Sequence, residues 1–382
     1  MTTAQLSKSS IQDRDHPRVA RKSVVGLDLL RGIAALLVFL GHVRGSCFVE
    51  FGALPPQQQG LLAKILFGLT RTGHEAVLIF FVLSGYLVGG QVIKHVREGR
   101  FSIGAYALER STRIFIPLIP ACIFTVAIAW LTLGQASNWL QMLLNMLGLN
   151  GVLTATLYGN APLWTLAYEI WFYILAGAIG YIFSTRQWAP IGFLLIACSV
   201  AVFCVLDARY VLFWSMGAVC ILFSGRTILL VGAVGFVCLM FGILDYQLAA
   251  ESKSFVNVVY LPQPVAEALI VFGVCLIICF LCEPAVDSAL RILRKPALYL
   301  SSISYTLYLF HYPLNAALEP LFPKAADLSW SAVGLCCAKA AVIFLAINVL
   351  YLAFEANTAA IRRYLRKRLF ANSERLNEST PA

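Results

Sequence analysis

The sequence predicts an all-α, polytopic integral membrane protein with about ten transmembrane helices and both termini cytoplasmic. Three observations carry that expectation. Apolar residues make up 60% of the 382-residue chain, charged residues only 13%, and the mean hydropathy is +0.79. That charged share is about half of what a soluble domain carries. The apolar residues gather in runs near the roughly 20 residues needed to cross the hydrocarbon. Lys and Arg are split unevenly among the connecting segments. A soluble fold of this composition would expose large apolar patches. A soluble globular enzyme, a disordered chain and a disulfide scaffold are therefore excluded, whereas an enzyme inside a membrane is not.

The apolar runs fall at 27–46, 76–93, 114–133, 163–183, 188–206, 210–223, 228–244, 265–282, 297–315 and 331–354; the sixth is short. They use about half the chain, which leaves no room for a sizeable soluble domain. The expected organisation is a basic cytoplasmic tail at 1–23 that is disordered, a membrane domain at 24–356 and a second basic cytoplasmic tail at 357–382. The first tail lacks the apolar stretch and small-residue cleavage site of a removed signal peptide, so the first run reads as a retained anchor. Neither a repeat nor a low-complexity stretch stands out.

Orientation follows from the basic residues. With a cytoplasmic N-terminus, 21 of the 29 Lys and Arg fall in inside segments and six outside, while Arg31 and Lys339 lie within runs. This distribution also explains the net charge of +10 without nucleic acid as a partner. The run Arg362-Arg363-Tyr364-Leu365-Arg366-Lys367-Arg368 suits anionic lipid headgroups. All eleven cysteines but Cys47 lie in apolar runs, where Cys acts as a small hydrophobe. The lone Cys279-x-x-Cys282 has no second pair or nearby His, so no metal is expected.

Ionisable groups in a bilayer are costly and mark candidate sites. Arg31 and His42 are eleven residues apart in the first run. At about 100° per residue they fall within roughly 20° of one face and roughly 16 Å apart along the axis. A fixed cation then sits near the inner end and a titratable base near the outer end. The plain alternative has Arg31 snorkelling to headgroups beside Asp28, with His42 capping the outer end. Arg110 and Arg113 stand one turn apart at a cytoplasmic helix start, where paired guanidiniums favour phosphate; ordinary positive-inside charge is the alternative. His74 and Glu75 open the second run on the outer side, ahead of Gly85, Gly89 and Gly90, which permit close helix approach. Thr165, Tyr168, Glu169 and Phe172 share a face in the outer half of the fourth run. In the ninth, Ser304, Tyr308 and His311 share a face, as acceptor-site groups or as interhelical glue. Lys339 is free to pair with Glu267 or Glu169. The arginines thus gather inward, and His42, His74, Glu169 and His311 gather outward.

These segments together resemble the membrane acyltransferase family 3, which O-acylates bacterial surface glycans and related acceptors. The resemblance rests on Arg31-x10-His42 after Leu27-Asp28-Leu29-Leu30, on Phe80-Phe81-Val82-Leu83-Ser84-Gly85-Tyr86, and on Arg110-Ser-Thr-Arg113 with Pro117. It extends to Leu163-Trp164-Thr165-Leu166-Ala167-Tyr168-Glu169 with Phe172-Tyr173, and to Ile303-Ser304-Tyr305-Thr306-Leu307-Tyr308-Leu309-Phe310-His311-Tyr312-Pro313. Each motif alone is weak; five in family order, from about 27 to 351, are specific. One departure is Leu78, where family members usually carry an acid two residues before the Phe-Phe pair; Glu75, about one turn away, is the candidate substitute.

The resemblance implies an acyl-CoA donor, most often acetyl-CoA, taken from the cytoplasm, with no metal. It implies a glycan or glycolipid hydroxyl as acceptor, reached from the outer side of a bacterial inner membrane: exopolysaccharide, O-antigen or lipo-oligosaccharide. Arg110, Arg113 and Arg31 would hold the donor. His42 would act as general base, with Glu169 orienting it or the sugar and Arg31 meeting developing negative charge. His74, Glu75, Ser304, Tyr308 and His311 would bind the acceptor. Direct transfer and an acyl-enzyme relay both remain open. The competing expectations are a secondary transporter of a lipid-linked or small anionic solute and a scaffold for a glycan-assembly complex.

Overall fold

The computed structural model describes residues 23–134, 138–185, 189–225, 228–251 and 260–378. The N-terminal basic segment expected to be disordered lies, but for Ser23, outside the described residues. Among those residues there are helices and no strands. In chain order the α-helices are α1 (Val25–Cys47), α2 (Leu61–Thr70), α3 (Gly73–Ser84), α4 (Gly90–Arg97), α5 (Ile103–Leu133), α6 (Trp139–Met146), α7 (Trp164–Ser184), α8 (Pro190–Val205), α9 (Arg209–Val219), α10 (Leu229–Glu251), α11 (Gln263–Leu281), α12 (Pro284–Ala289), α13 (Arg294–Ala317), α14 (Trp330–Ala353) and α15 (Thr358–Glu378).

Each of the ten apolar runs is helical, but seven helical stretches among the described residues are long and apolar enough to cross a membrane. The fifth and sixth runs are short helices, Pro190–Val205 and Arg209–Leu222. The ninth, α13, has the length yet carries Arg294-Lys295 and a string of Ser, Thr and Tyr, which lowers its hydropathy. Four helices lie outside the expected spans. These are α2, α6, α12 and α15, the last of which makes the expected C-terminal tail a helix over 358–378.

The bundle is organised around α1, which packs against α13, α3 and α14. The first turn of α1 has no side-chain cap of its own; Asp287 of α12 reaches across and accepts from the Val25 N–H at 2.8 Å, so a long-range carboxylate satisfies an orphan donor. α3 continues through a π-helical turn, Gly85–Gly89, into α4. Such turns often mark functional sites. Here the turn sits where α3 meets α9. A methyl group on Gly85 would lie 1.9 Å from the Trp214 carbonyl oxygen, and one on Gly217 would lie 2.1 Å from that of Val82. Only glycine at both positions lets these backbones touch. Phe81, Tyr168, Phe172, Phe203, Tyr210 and Trp214 interlock beside this crossing, with ring centroids 5.1–6.4 Å apart. Such rings supply large apolar area with directional packing.

Pro313 interrupts α13. It has no N–H to offer the Leu309 carbonyl, and Asn160 Nδ2 fills that vacancy at 3.0 Å while also reaching Thr125 Oγ1 at 3.1 Å. The freed backbone group is thereby satisfied inside the protein, as a bilayer environment demands. Outward-facing positions are apolar: Leu62, Trp130, Leu194, Phe236 and Leu345 are all exposed.

Candidate active site

A cavity of about 320 Å³ is enclosed by α1, α3 with its π turn, α5, α7 and α13. Arg31, Arg110, Arg113, Glu169, Ser304 and Tyr308 all line it, so six of the expected site residues converge. Ser23, just before α1, and half-exposed Glu109 with Arg110 line its mouth; α5 begins at Ile103, so Arg110 and Arg113 sit two to three turns inside the helix and not at its start. Arg110 and Arg113 are three residues apart and share a face. Arg110 pairs with neighbouring Glu109, and its guanidinium lies 5.6 Å from the centroid of the Tyr173 ring. Arg113 stands within electrostatic reach of Tyr173, Glu355, Glu169 and Tyr305, and Arg31 within reach of Arg113, Asp28 and Glu169.

Each carboxylate of this cavity accepts at least one hydrogen bond from the protein, although Asp28 Oδ2 is a buried acceptor with no donor. Glu169 accepts from Tyr173 Oη at 2.5 Å, Asp28 from Ser301 Oγ at 3.0 Å, and Glu109 from Arg110. Arg31 and Arg113 make no hydrogen bond among the described residues, and the Arg110 Nε–H is buried without a partner. Each guanidinium offers five N–H donors. Free donors therefore exceed free acceptors, and the deficit is one an oxyanion fills. The plain alternative, in which Arg31 pairs with Asp28, is not what is seen: Asp28 accepts from Ser301.

Tyr308 also lines the cavity. That hydroxyl lies 2.6 Å from Thr165 Oγ1 and donates to the Pro162 carbonyl at 2.6 Å, while the ring packs 6.1 Å from Phe80. His42 and His311 are not in the lining. They stand one turn further along, with the His311 ring 6.1 Å from Tyr308 and 5.2 Å from His42. His42 also abuts Tyr312, at 5.1 Å. The cavity lining thus includes Arg31 and Tyr308 but not His42, and the Tyr308 hydroxyl is held by two short hydrogen bonds. His311 is 1% exposed. Its Nδ1 lies 2.9 Å from the carbonyl oxygens of both Leu307 and Tyr308, so Nδ1 carries the proton. Its Nε2 is then a bare lone pair, buried and without a partner.

The outward gathering of acid–base candidates separates into three places. Glu169 belongs with the arginines. His42 pairs with His311. His74 joins a different cluster, in which its Nε2 lies 2.9 Å from Glu267 Oε1 and its ring stacks on Tyr246 at 5.2 Å. Fully buried Glu267 also accepts from Gln263 at 3.1 Å and from Arg209 at 2.9 Å. Arg209 in turn grips Asp207 and holds that loop carboxyl below the usual carboxylate range. Glu75 accepts from Gln247 and lies away from the cavity, and Leu78 is buried. Lys339 pairs with neither Glu267 nor Glu169. Those carboxylates are engaged elsewhere, and the Lys339 ammonium donates to Ser46 Oγ at 3.0 Å.

The sequence reading missed three groups, Tyr173 in the cavity lining and Glu355 and Arg362 near its arginines. Tyr173 orders Glu169 and Arg110. Glu355 accepts from Thr306 N–H and Oγ1 behind Arg113. Arg362 of α15 approaches Glu109, Arg110 and Arg113. The signal for Glu355 was present: it is a lone acid just after an apolar run, ahead of a basic segment.

A family model described as an acyltransferase domain matches residues 24–349. The O-acetyltransferase PaAT-1 of Phomopsis amygdali is 32% identical over 119 residues, which cover 29% of this chain and 24% of that protein. The chain thus matches about a quarter of the length of this curated relative. No solved structure matches. With the family model spanning nearly all of the helical bundle that builds the cavity, the chain belongs to acyltransferase family 3.

Proposed function

We propose that the protein is a membrane-embedded O-acyltransferase that moves an acyl group, acetyl foremost, from acyl-CoA to a hydroxyl of a glycan or glycolipid. In this reading it sits in a bacterial inner membrane with ten spans and both termini cytoplasmic. The donor enters from the cytoplasm and the acceptor approaches from the outer face. The observation that carries the reading is a cavity lined by three guanidiniums, those of Arg31, Arg110 and Arg113, whose lining residue Tyr308 lies one turn from the His42–His311 pair. Family membership favours acyl transfer over the transporter and scaffold alternatives.

Arg110 and Arg113 hold donor phosphates through charge-assisted hydrogen bonds. The pantetheine arm lies past Arg31 and Glu169 towards Tyr308. His42 removes the proton from the acceptor hydroxyl, and the oxygen attacks the thioester carbonyl. The C–O bond forms, the C–S bond breaks, and the proton passes from the imidazolium to the departing thiolate. The products are an ester and free CoA. General-base catalysis of this kind contributes typically 10²–10⁴-fold. His311, neutral and held by two carbonyls, keeps a second imidazole against His42.

The test is mass spectrometry of surface glycans from cells carrying the protein, lacking it, or carrying His42→Ala. The reading expects an added acyl mass only with the unaltered protein. Normal acylation by a folded, inserted His42→Ala would overturn the assigned chemistry.

A further inference from the structure

The sequence reading assigns the basic C-terminal segment to lipid headgroups. The fold places its first turns elsewhere. α15 packs against α5, the helix that carries Arg110 and Arg113. Thr358, Arg362 and Leu365 follow one another at i, i+4 and i+7 and share a face. Thr358 is buried, Arg362 and Leu365 are half-buried, and Arg363, Arg366, Lys367 and Arg368 are exposed. One guanidinium of the segment is thus turned into the protein while the others face outward.

That guanidinium is turned towards the Arg110 side of the cavity without being part of its lining. It lies within electrostatic reach of Glu109, Arg110 and Arg113. The only carboxylate among these three is Glu109, which is engaged by Arg110. The Nε–H groups of Arg110 and Arg362 are both buried and both without a partner. Like charges brought together with bare, desolvated N–H donors are costly unless an anion joins them. A phosphate oxygen accepts from several guanidinium donors at once. Two independent features, the cavity lined by Arg110 and the inward turn of Arg362 on a separate helix, therefore point to one occupant chemistry.

We propose that α15 is part of the donor site, where Arg362 joins Arg110 in gripping a phosphate group of acyl-CoA at the cavity mouth. This inference rests on the donor assignment above. It makes the C-terminal helix a functional element of the enzyme.

The test uses the full chain in nanodiscs of zwitterionic phosphatidylcholine, with acetyl-CoA as the probe in equilibrium binding. Hydrogen bonds to charged groups are worth about 1.5–3 kcal/mol, so Arg362→Gln should raise the Kd by roughly 10- to 100-fold. Arg362→Lys keeps the charge and should recover part of the loss. Arg363→Gln and Arg366→Gln should bind as the unaltered chain does. An unchanged thermal midpoint for Arg362→Gln separates lost contact from lost fold, and partial recovery in Arg362→Lys does so a second way. Unaltered affinity in Arg362→Gln, with the unaltered chain binding acetyl-CoA, overturns this inference alone. A chain that binds no acetyl-CoA overturns the donor assignment with it. A second arm adds anionic phosphatidylglycerol to the nanodisc. Suppose that lipid weakens acetyl-CoA binding only when Arg362 is present, while Arg362→Gln has normal affinity in phosphatidylcholine. Arg362 then holds a lipid headgroup, and its place in the donor site is refuted.

Discussion

Two buried polar regions of this bundle are built in opposite ways. Around Glu267, His74 and Gln263 meet one carboxylate oxygen and Arg209 the other, and Tyr246 stacks on the imidazole. The groups come from α3, α9, α10 and α11, so the cluster fastens four helices together. Around Arg31 and Arg113 the guanidiniums face an open cavity and lack hydrogen-bonding partners, while nearby carboxylates are engaged by Tyr173, Ser301 and Arg110. Buried charge that is fully paired reads as a structural fastening. Buried charge whose partners are withheld reads as a place kept for a ligand.

This contrast yields predictions that separate stability from activity. The largest effect belongs to His42→Ala, which should lower acyl transfer by roughly 10²–10⁴-fold and leave the thermal midpoint in detergent unchanged. A midpoint that falls in step with activity would make His42 a packing residue. Next is Glu267→Ala, which leaves Arg209 and His74 facing each other without their shared acid. Breaking a buried pair costs about 3–5 kcal/mol, seen as a large fall in thermal midpoint, and an unchanged midpoint would dissolve the distinction between the regions. Arg113→Ala should do the reverse. It should weaken acetyl-CoA binding by roughly 10- to 100-fold with little change in midpoint, as measured by equilibrium binding alongside thermal unfolding.

The smallest effect is expected at Asp207, whose carboxyl is held low by Arg209. A depressed carboxylate contributes stability above its unfolded pKa and loses it as pH falls through the folded value. Asp207 and Arg209 are each about a third exposed, so solvent screening keeps the contribution near 0–1 kcal/mol. Asp207→Asn should therefore lower the midpoint slightly at neutral pH, leave it unmoved at pH values below the folded pKa of the carboxyl, and so flatten the acid limb of a midpoint-versus-pH curve.

The sequence disclosed the fold wherever a helix is apolar throughout, since a run such as the one in α11 has no other stable placement in a membrane. It was silent on α2 and α15. The first is a short helix set apart from the long run that follows, and the second is polar enough to look like a solvated tail. The cavity was legible at Arg31, Arg110, Arg113 and Glu169 because a charge inside or beside an apolar run stands out. The way these charges pair was not. His74 meets Glu267 across 193 residues and Arg209 meets it across 58, and no local spacing encodes such partners. Helical geometry put Arg31 and His42 on one face, yet the cavity that Arg31 lines leaves out His42 and takes in Tyr308, which comes from another helix. Its position depends on how α13 and α7 pack, with Pro162 and Thr165 fixing the hydroxyl.

The most direct measurement is a single-particle structure of the full chain with a non-transferable acyl-CoA analogue. The account predicts phosphates at Arg110, Arg113 and Arg362, and a pantetheine arm running past Arg31 towards Tyr308. An analogue bound outside this cavity, or a cavity filled by lipid while the analogue sits elsewhere, would contradict it.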